Sequence, residues 1–476
     1  MAPNPIPLLI RKQENIPKTL PLGLGPTVHR VPVEILVQIF WFCLPLQGLS
    51  DPWDLTPSAC RNQAPLSLCH VCSSWRRIAM ETPALWISLA MEVSLEDTLV
   101  VPERHGQVAS FWISQAGCRL VDLWITSRST ADDDFEKFST NFMIQVVRPR
   151  AERIRSLHLS FNTIYDLLCL LQYQDHEDTL PHHVWSFPSL EYLIIDLYSF
   201  PSTARTMLTA LQSMPKLHTV ELSHVIVVNE LIIQLPWAQL TSLTIYLIPE
   251  SVFRVLMTQC PALETVHFSV RDRYFDEELL VVNVTLTRLT TFEVHFLGIS
   301  GSSIFDGIHF PALNNLTLYL PYCIGEFTWT APEHMFRHLA PITTLSLGGH
   351  IDPPNMIDIL RQTKNVTTFK VEFGVGHGGV LKALTLDEDE EVLLPTLSVL
   401  HVQMCAHHCE PFAVVDFVEM VASRSPTGAT PLDVTPLQEV WVGIPAYINT
   451  LKEELDAVLE QWGHKADMPR VQYEKP

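Results

Sequence analysis

The sequence predicts an α/β chain in which a small N-terminal helical module precedes a curved, irregular stack of repeats whose strands share one parallel sheet. Three observations predict it. An apolar triplet of fixed internal spacing recurs twelve times between Leu120 and Val442, segments of helical period stand ahead of several copies, and a separate, strongly apolar helical stretch lies before the first copy.

The chain has 476 residues, 47% of them hydrophobic and only 17% charged, so it can bury a large core and is not globally disordered. Its formal charge is −21 and it contains no block of five Lys or Arg, which disfavours nucleic acid and anionic membranes as partners. The N-terminal residues lack the pattern of a secretory signal, and no run of eighteen apolar residues follows; the expectation is a protein of the cytosol and/or nucleus. There the ten cysteines are reduced. The sequons at Asn283, Asn315 and Asn365 are then read through their Thr residues, as strand positions.

Residues 1–27 are rich in Pro and Gly without a sustained period and read as a flexible tail. The module spans 28–92. In "VPVEILVQIFWFCLP" a Pro suits the first helical turn, Glu34 complements the helix dipole, and Ile35, Leu36, Ile39, Phe40 and Cys43 form one apolar stripe. A Pro- and Asp-bearing insertion follows, from about Gln47 to Gln63. A second helix then carries Leu66, Leu68, Cys69, Val71, Cys72, Trp75 and Ile78, apolar over more of its circumference than one internal core requires. "TPALWISLAM" reads as a short turn and strand, and residues 93–112 as a connecting segment.

The repeats occupy 113–445, in "RLVDLWIT", "RIRSLHLS", "SLEYLIID", "KLHTVELS", "QLTSLTIY", "ALETVHFS", "RLTTFEVH", "ALNNLTLY", "PITTLSLG", "NVTTFKVE", "TLSVLHVQ" and "LQEVWVGI". Their starts are 23 to 40 residues apart, and Pro stands just ahead of seven of them, at Pro188, Pro215, Pro261, Pro311, Pro341, Pro395 and Pro436. "TARTMLTALQSM", "ESVFRVLMTQC" and "PNMIDILRQTK" supply helices, so each unit reads as helix, turn, strand. One such unit cannot cover its own apolar side chains, whereas stacked units share an interior. Residues 446–476 read as a helical cap and tail.

The repeat region resembles leucine-rich repeats, without the Asn that family places after the strand core; Tyr198, Val225, Ile248, Arg271 and Pro321 stand there instead. The module resembles the F-box, in the fungal F-box-like form with a lengthened connection between its first two helices. Val31 and Pro32 match the family's opening, Ile35, Leu36 and Ile39 its first helix, and Val71, Cys72, Ser73, Ser74 and Trp75 its valine, cysteine, two variable residues and tryptophan. Arg76, Pro83, Leu85 and Trp86 continue the match.

The resemblance implies a Skp-type adaptor as partner and, through it, a cullin–RING ubiquitin ligase. Its adaptor-binding residues would be Val31, Pro32, Ile35, Leu36, Ile39, Phe40, Leu66, Leu68, Val71, Cys72 and Trp75. The chain would then be the substrate-recognition subunit of an SCF-type E3 ligase, holding a target protein on the stack. It would act by positioning, with no catalytic group of its own. The alternative is a leucine-rich-repeat interaction scaffold without a ubiquitination role, and a third reading is an enzyme with a site between distant repeats.

If the triplets point inward, the residue at the centre of each strand faces the concave side: Trp124, His158, Ile194, Glu221, Thr244, His267, Glu293, Thr317, Ser346, Lys370, His401 and Trp441. With Tyr246, His295 and Tyr319 beside them, these read either as target-binding residues or as a solvated sheet face. Other chemistry is not indicated. "CHVC" lacks two further zinc ligands and reads as packing. "MCAHHCE", with Cys405, His407, His408 and Cys409, reads as a loop, because alternating strand geometry cannot aim all four at one ion. "GVGHGG" at 374–379 has a dinucleotide-binding spacing without the long helix, and with the acidic run after it reads as loop. No metal, cofactor or catalytic residue is assigned.

Overall fold

The computed structural model describes residues 31–45, 62–93, 102–127, 147–161, 186–197, 213–223, 226–227, 230–231, 234–271, 282–297, 305–320, 342–349, 351, 353–373, 378–387, 391–404, 414–425, 433–443, 453, 455–457 and 470–473. The tail, most of the insertion after Gln47, all of "MCAHHCE" except Met404 and most of "TARTMLTALQSM" lie outside them, as do Tyr198, Val225 and Pro321.

Helix α1 (Val33–Cys43) starts where Pro32, which has no N–H to leave unsatisfied, gives its carbonyl to the amides of Ile35 and Leu36, each at 3.1 Å. The expected second helix is two. Between α2 (Leu66–Val71) and α3 (Ser73–Met80), Cys72 is extended (φ −160°, ψ 170°), and its Sγ accepts the Trp75 amide at 3.4 Å. Cys72 therefore caps α3 instead of continuing α2, and the stripe through Cys69 and Cys72 is broken. Cys69 is buried, which raises its thiol pKa above the ordinary value, and Arg76 donates from Nε to the Cys69 carbonyl at 2.8 Å.

The module runs directly into the sheet. After a short 3-10 turn over Pro83–Trp86 come β1 (Ser88–Val93), α4 (Pro102–Gln115) and β2 (Val121–Ser127). The Trp86 indole donates to the Ala79 carbonyl at 2.8 Å and meets Trp112 edge-on at 4.9 Å, and Trp112 donates to the Ser88 carbonyl at 3.0 Å. Two fully buried indoles thus join the helices to the sheet within one hydrophobic core.

The chain continues through β3 (Ile154–Phe161), β4 (Tyr192–Leu197), β5 (Thr219–Ser223), β6 (Ile226–Val227), β7 (Glu230–Leu231), β8 (Ser242–Pro249), α5 (Glu250–Gln259), β9 (Thr265–Arg271), β10 (Val284–Thr285) and β11 (Thr291–Phe296). It then forms β12 (Ile308–His309), β13 (Asn315–Leu320), β14 (Thr344–Gly349), α6 (Pro353–Gln362), β15 (Thr368–Phe373), α7 (Gly378–Leu384), β16 (Val399–Met404), α8 (Val414–Ser423), β17 (Glu439–Gly443) and β18 (Arg470–Tyr473). Helix α7 replaces part of the loop expected at "GVGHGG".

Fourteen of these strands form one parallel sheet in the order β1-β2-β3-β4-β5-β8-β9-β11-β13-β14-β15-β16-β17-β18; the pairs β6–β7 and β10–β12 stand apart. All twelve triplets fall on consecutive strands from β2 to β17. The sheet is one strand longer at each end, and β18 arises in the segment expected to be a helical cap and tail.

The triplets share one register. Leu157, Leu193, Val220, Leu243, Val266, Phe292, Leu316 and Leu345 sit side by side across β3 to β14, at most 1% exposed. Two recurrent features set it. In five repeats a Pro occupies the second position of a turn closed by a hydrogen bond, as from Leu263 N to Cys260 O and from Leu313 N to Phe310 O. Two successive amides at the start of a strand then donate to one carbonyl of the preceding repeat. Glu264 and Thr265 meet Thr241 O at 2.8 and 3.0 Å, and Thr290 and Thr291 meet Glu264 O at 2.9 and 3.1 Å. The Thr290 hydroxyl adds a third donor to the same oxygen at 3.1 Å, as Thr367 and Ser398 do in later repeats. The regular pairing breaks in β8, where Leu247 takes a left-handed φ of 62° before Ile248 pairs with Val270.

Buried charge ties the helices down. Arg424, just after α8, is 0% exposed and donates to the carbonyls of Leu384, Leu394 and Leu393 at 2.7, 3.1 and 2.6 Å; burial lowers its pKa to about 10. Arg254 on α5 pairs with Glu250 one turn away at 3.6 Å and donates to Asp306 O at 3.2 Å.

Replacing Arg424 by Met keeps the aliphatic stem and leaves three buried carbonyls without these donors, so urea denaturation is expected to show a loss of about 3 kcal/mol or more. Lys at the same position, a single ammonium in place of a planar fork, recovers less than half of that loss.

Candidate functional site

The side of the sheet opposite the apolar rows carries the candidate site. Because the strands alternate and stay in register, Trp124, His158, Ile194, Glu221, Thr244, His267, Glu293, Thr317, Ser346, Lys370, His401 and Trp441 are successive partners in one unbroken row. Tyr246, His295 and Tyr319 stand two residues further along their strands, in a second row that also holds Asp196 and Gly348.

The centre of the face is a hydrogen-bonded cluster. Glu293 bridges two imidazoles: one carboxylate oxygen is 2.9 Å from His267 Nδ1, the other 2.8 Å from His295 Nε2. Those contacts hold Glu293 far below the usual carboxylate range, and the hydrogen bond to Glu293 raises the pKa of His267 against the effect of burial. The His295 ring lies 5.1 Å from that of Tyr319. On the neighbouring strands, burial and the nearby Asp196 raise the pKa of Glu221, which shares a hydrogen bond with Tyr246; burial and Glu221 raise that of Tyr246.

The two ends differ. At one, His158 is only 5% exposed beside Trp124, with ring centroids 6.4 Å apart, and burial lowers its pKa to about 4, so it is neutral at pH 7. The Trp124 Nε1 is likewise enclosed, and no acceptor among the described residues reaches it. His158 is therefore packed into the sheet and offers no accessible imidazole to a target. At the other end, His401 and Trp441 stack at 5.7 Å with ring planes 6° apart, and Lys370 is exposed beside them.

Sequence reasoning missed Asp196 and Gly348. Asp196 shares a row with Tyr246 and His295, and the alternation that placed those residues also places it. Gly348 is required by a close approach: a Cβ there would stand 2.6 Å from Tyr319 Cδ2.

The residues matched to the adaptor-binding face divide by helix side. Ile35 and Ile39 on α1 and Val71 on α2 are exposed, by 45%, 41% and 58%, and Pro32 is exposed with them. Phe42 lies on the same side of α1 as Ile35 and Ile39 and is exposed, and Val33 and Trp41 are exposed elsewhere on that helix. Leu36, Phe40 and Leu68 are corrections to the expected contact set: each is at most 5% exposed, because i, i+4 spacing on α1 aims Leu36 and Phe40 into the core. Val31, Leu66, Cys72 and Trp75 are half-buried between the two sides, with Trp75 packed at 4.9 Å on Phe40.

Among the described residues, no group of three or more His, Cys, Asp or Glu could hold a metal ion, and no helix is long and apolar enough to cross a membrane. No protein-family model matches the chain, and comparison with curated proteins finds no significant match.

The Glu293 bridge has a defined pH dependence. The raised pKa of His267 gives stability present below its ordinary value of about 6.5 and lost as pH rises through the folded value. The lowered pKa of Glu293 gives stability present above its ordinary value of about 4.3 and lost as pH falls through the folded value. Both contributions coexist between roughly pH 5 and 6.5, reduced by solvent screening at these part-exposed groups. The melting temperature of the unmodified chain is therefore expected to exceed that of Glu293→Gln more at pH 5.5 than at pH 9. NMR titration of His267 in that variant should return towards the ordinary imidazole value; a gap independent of pH would refute the bridge.

Proposed function

We propose that the chain is the substrate-recognition subunit of an SCF-type E3 ubiquitin ligase, an F-box-like helical module joined to a leucine-rich-repeat-like solenoid. The observation that carries this reading is the set of exposed apolar side chains Ile35, Ile39 and Phe42 on one side of α1 and Val71 on α2, on helices whose opposite sides are filled by Leu36, Phe40 and Leu68. The exposed side chains are therefore surplus to the module's own core. Burial of an apolar surface of this kind against a Skp-type adaptor would remove it from water. The residues around it are those that resemble the F-box: Val31 and Pro32 ahead of α1, and the valine, cysteine and tryptophan of Val71, Cys72 and Trp75.

The sheet supports the other half of the reading. Its polar face offers a row of hydrogen-bonding and aromatic side chains on a rigid, uniformly spaced frame, which suits a surface that selects a protein target and holds it while another subunit transfers ubiquitin. The module and the sheet share one hydrophobic core through Trp86 and Trp112, so a target on the sheet would keep a fixed orientation relative to the adaptor.

The full chain is expected to co-purify with a Skp-type adaptor and a cullin. Replacing Ile35 and Val71 by Asp should reduce adaptor recovery at least tenfold with no change in melting temperature, because both side chains are exposed. Leu36→Asp should instead unfold the module. Undiminished adaptor recovery by the folded double variant would remove the proposed surface, and adaptor recovery without cullin would favour the scaffold reading.

A further inference from the structure

We propose that the middle of the polar face, on β4, β5, β8, β9, β11 and β13, binds a basic segment of the target protein, with Asp196 and Glu221 receiving its Lys or Arg side chains. The inference rests on reading this face as the target-holding surface, and it adds the chemistry of what is held.

Two rows cross these six strands unbroken on the polar side, and a third is interrupted between β8 and β9. Their positions carry Asp196, Glu221 and Glu293 but no Lys or Arg, Arg271 at the end of β9 lying beyond them. Glu293 is already engaged by His267 and His295, whereas Asp196 and Glu221 stand on neighbouring strands and repel each other. Among the described partners of Glu221, the Tyr246 hydroxyl is neutral and the imidazole of His267 is committed to Glu293. A cationic side chain placed between Asp196 and Glu221 would relieve that repulsion and gain two charge-assisted hydrogen bonds.

The surroundings suit the stem of such a side chain. Tyr246, hydrogen-bonded to Glu221, is 42% exposed and adds aromatic surface for the methylenes of Lys or the plane of Arg; Tyr192, 41% exposed, is met edge-on by His218 at 5.0 Å. The same charges work against other occupants. An acidic or phosphorylated segment would meet three carboxylates, and a second copy of this chain would bring its own formal charge of −21. Lys370, the cation of the central row, lies beyond these strands on β15.

The test uses the full chain and two fluorescent dodecapeptides, one alternating Lys and Ser, the other Glu and Ser, followed by anisotropy. The Lys peptide is expected to bind, more weakly as salt is raised, and the Glu peptide not to bind. Asp196→Asn with Glu221→Gln should weaken the Lys peptide about tenfold or more. A control pair, Glu81→Gln with Glu264→Gln, neutralises two exposed carboxylates outside these rows and should change affinity less than about twofold.

An equal loss in the control pair overturns the proposal, since the attraction would then belong to the net charge of the chain. Equal binding of the two peptides, or full affinity in the face variant, overturns it as well. Adaptor recovery is read on α1 and α2, which these substitutions do not touch, so the two readings fail separately. Peptide binding without adaptor recovery keeps the basic-segment site and removes the ligase role; adaptor recovery without peptide binding removes the charge assignment alone.

Discussion

The common register of the parallel strands is the constraint on which the other features depend. Side chains alternate between faces with a period of two, so a slip of one residue in any repeat would turn its buried triplet outward and its polar residues into the core. The convergence of two amides on one carbonyl at the strand starts from β5 to β17 opposes such a slip, because the pair of donors has only one matching acceptor. The Pro turn ahead of several strands fixes where the pair begins. Core and polar face follow together. The geometry that stacks Leu243 on Val266 also sets Glu293 between His267 and His295.

The N-terminal helices obey a different constraint. With few residues they cannot enclose an independent core, and they borrow one from the start of the sheet through Trp86 and Trp112. The interruption at Cys72 belongs to the same arrangement. A continuous helix would have carried Cys69, Cys72 and Trp75 along one line. Within α2, Cys69 and Val71 stand two residues apart and so face nearly opposite sides, Cys69 inward and Val71 outward, and one short sequence serves the interior and the surface at once.

Much of this was legible in the sequence because it is periodic. Twelve strands announced themselves through spaced apolar residues, and alternation then placed the central row residue by residue. What periodicity does not encode was not legible. β18 has too few apolar positions in "RVQY" to stand out. Cys72 is as apolar as its neighbours, and nothing local marks it as a cap. His158 has the same pattern position as His267, yet one is enclosed beside Trp124 and the other bonds to a carboxylate on the adjacent strand, a difference made by neighbours distant in sequence. Nothing in the sequence marks Arg254 and Arg424 as buried, because carbonyl acceptors carried by other segments are invisible in a linear pattern.

The carbonyl that gathers two amides has a consequence for how such a chain can change over generations. Alignment is fixed at the doorway to each strand, by atoms of that repeat and the one before it, and owes nothing to the length of chain that has gone by since the previous strand ended. The intervals between repeats already range from 23 to 40 residues while the central row runs unbroken. Segments between strands are thus free to lengthen, shrink or be exchanged without dislocating the frame. Novelty can accumulate at the borders of the sheet while the order of its interior is inherited intact.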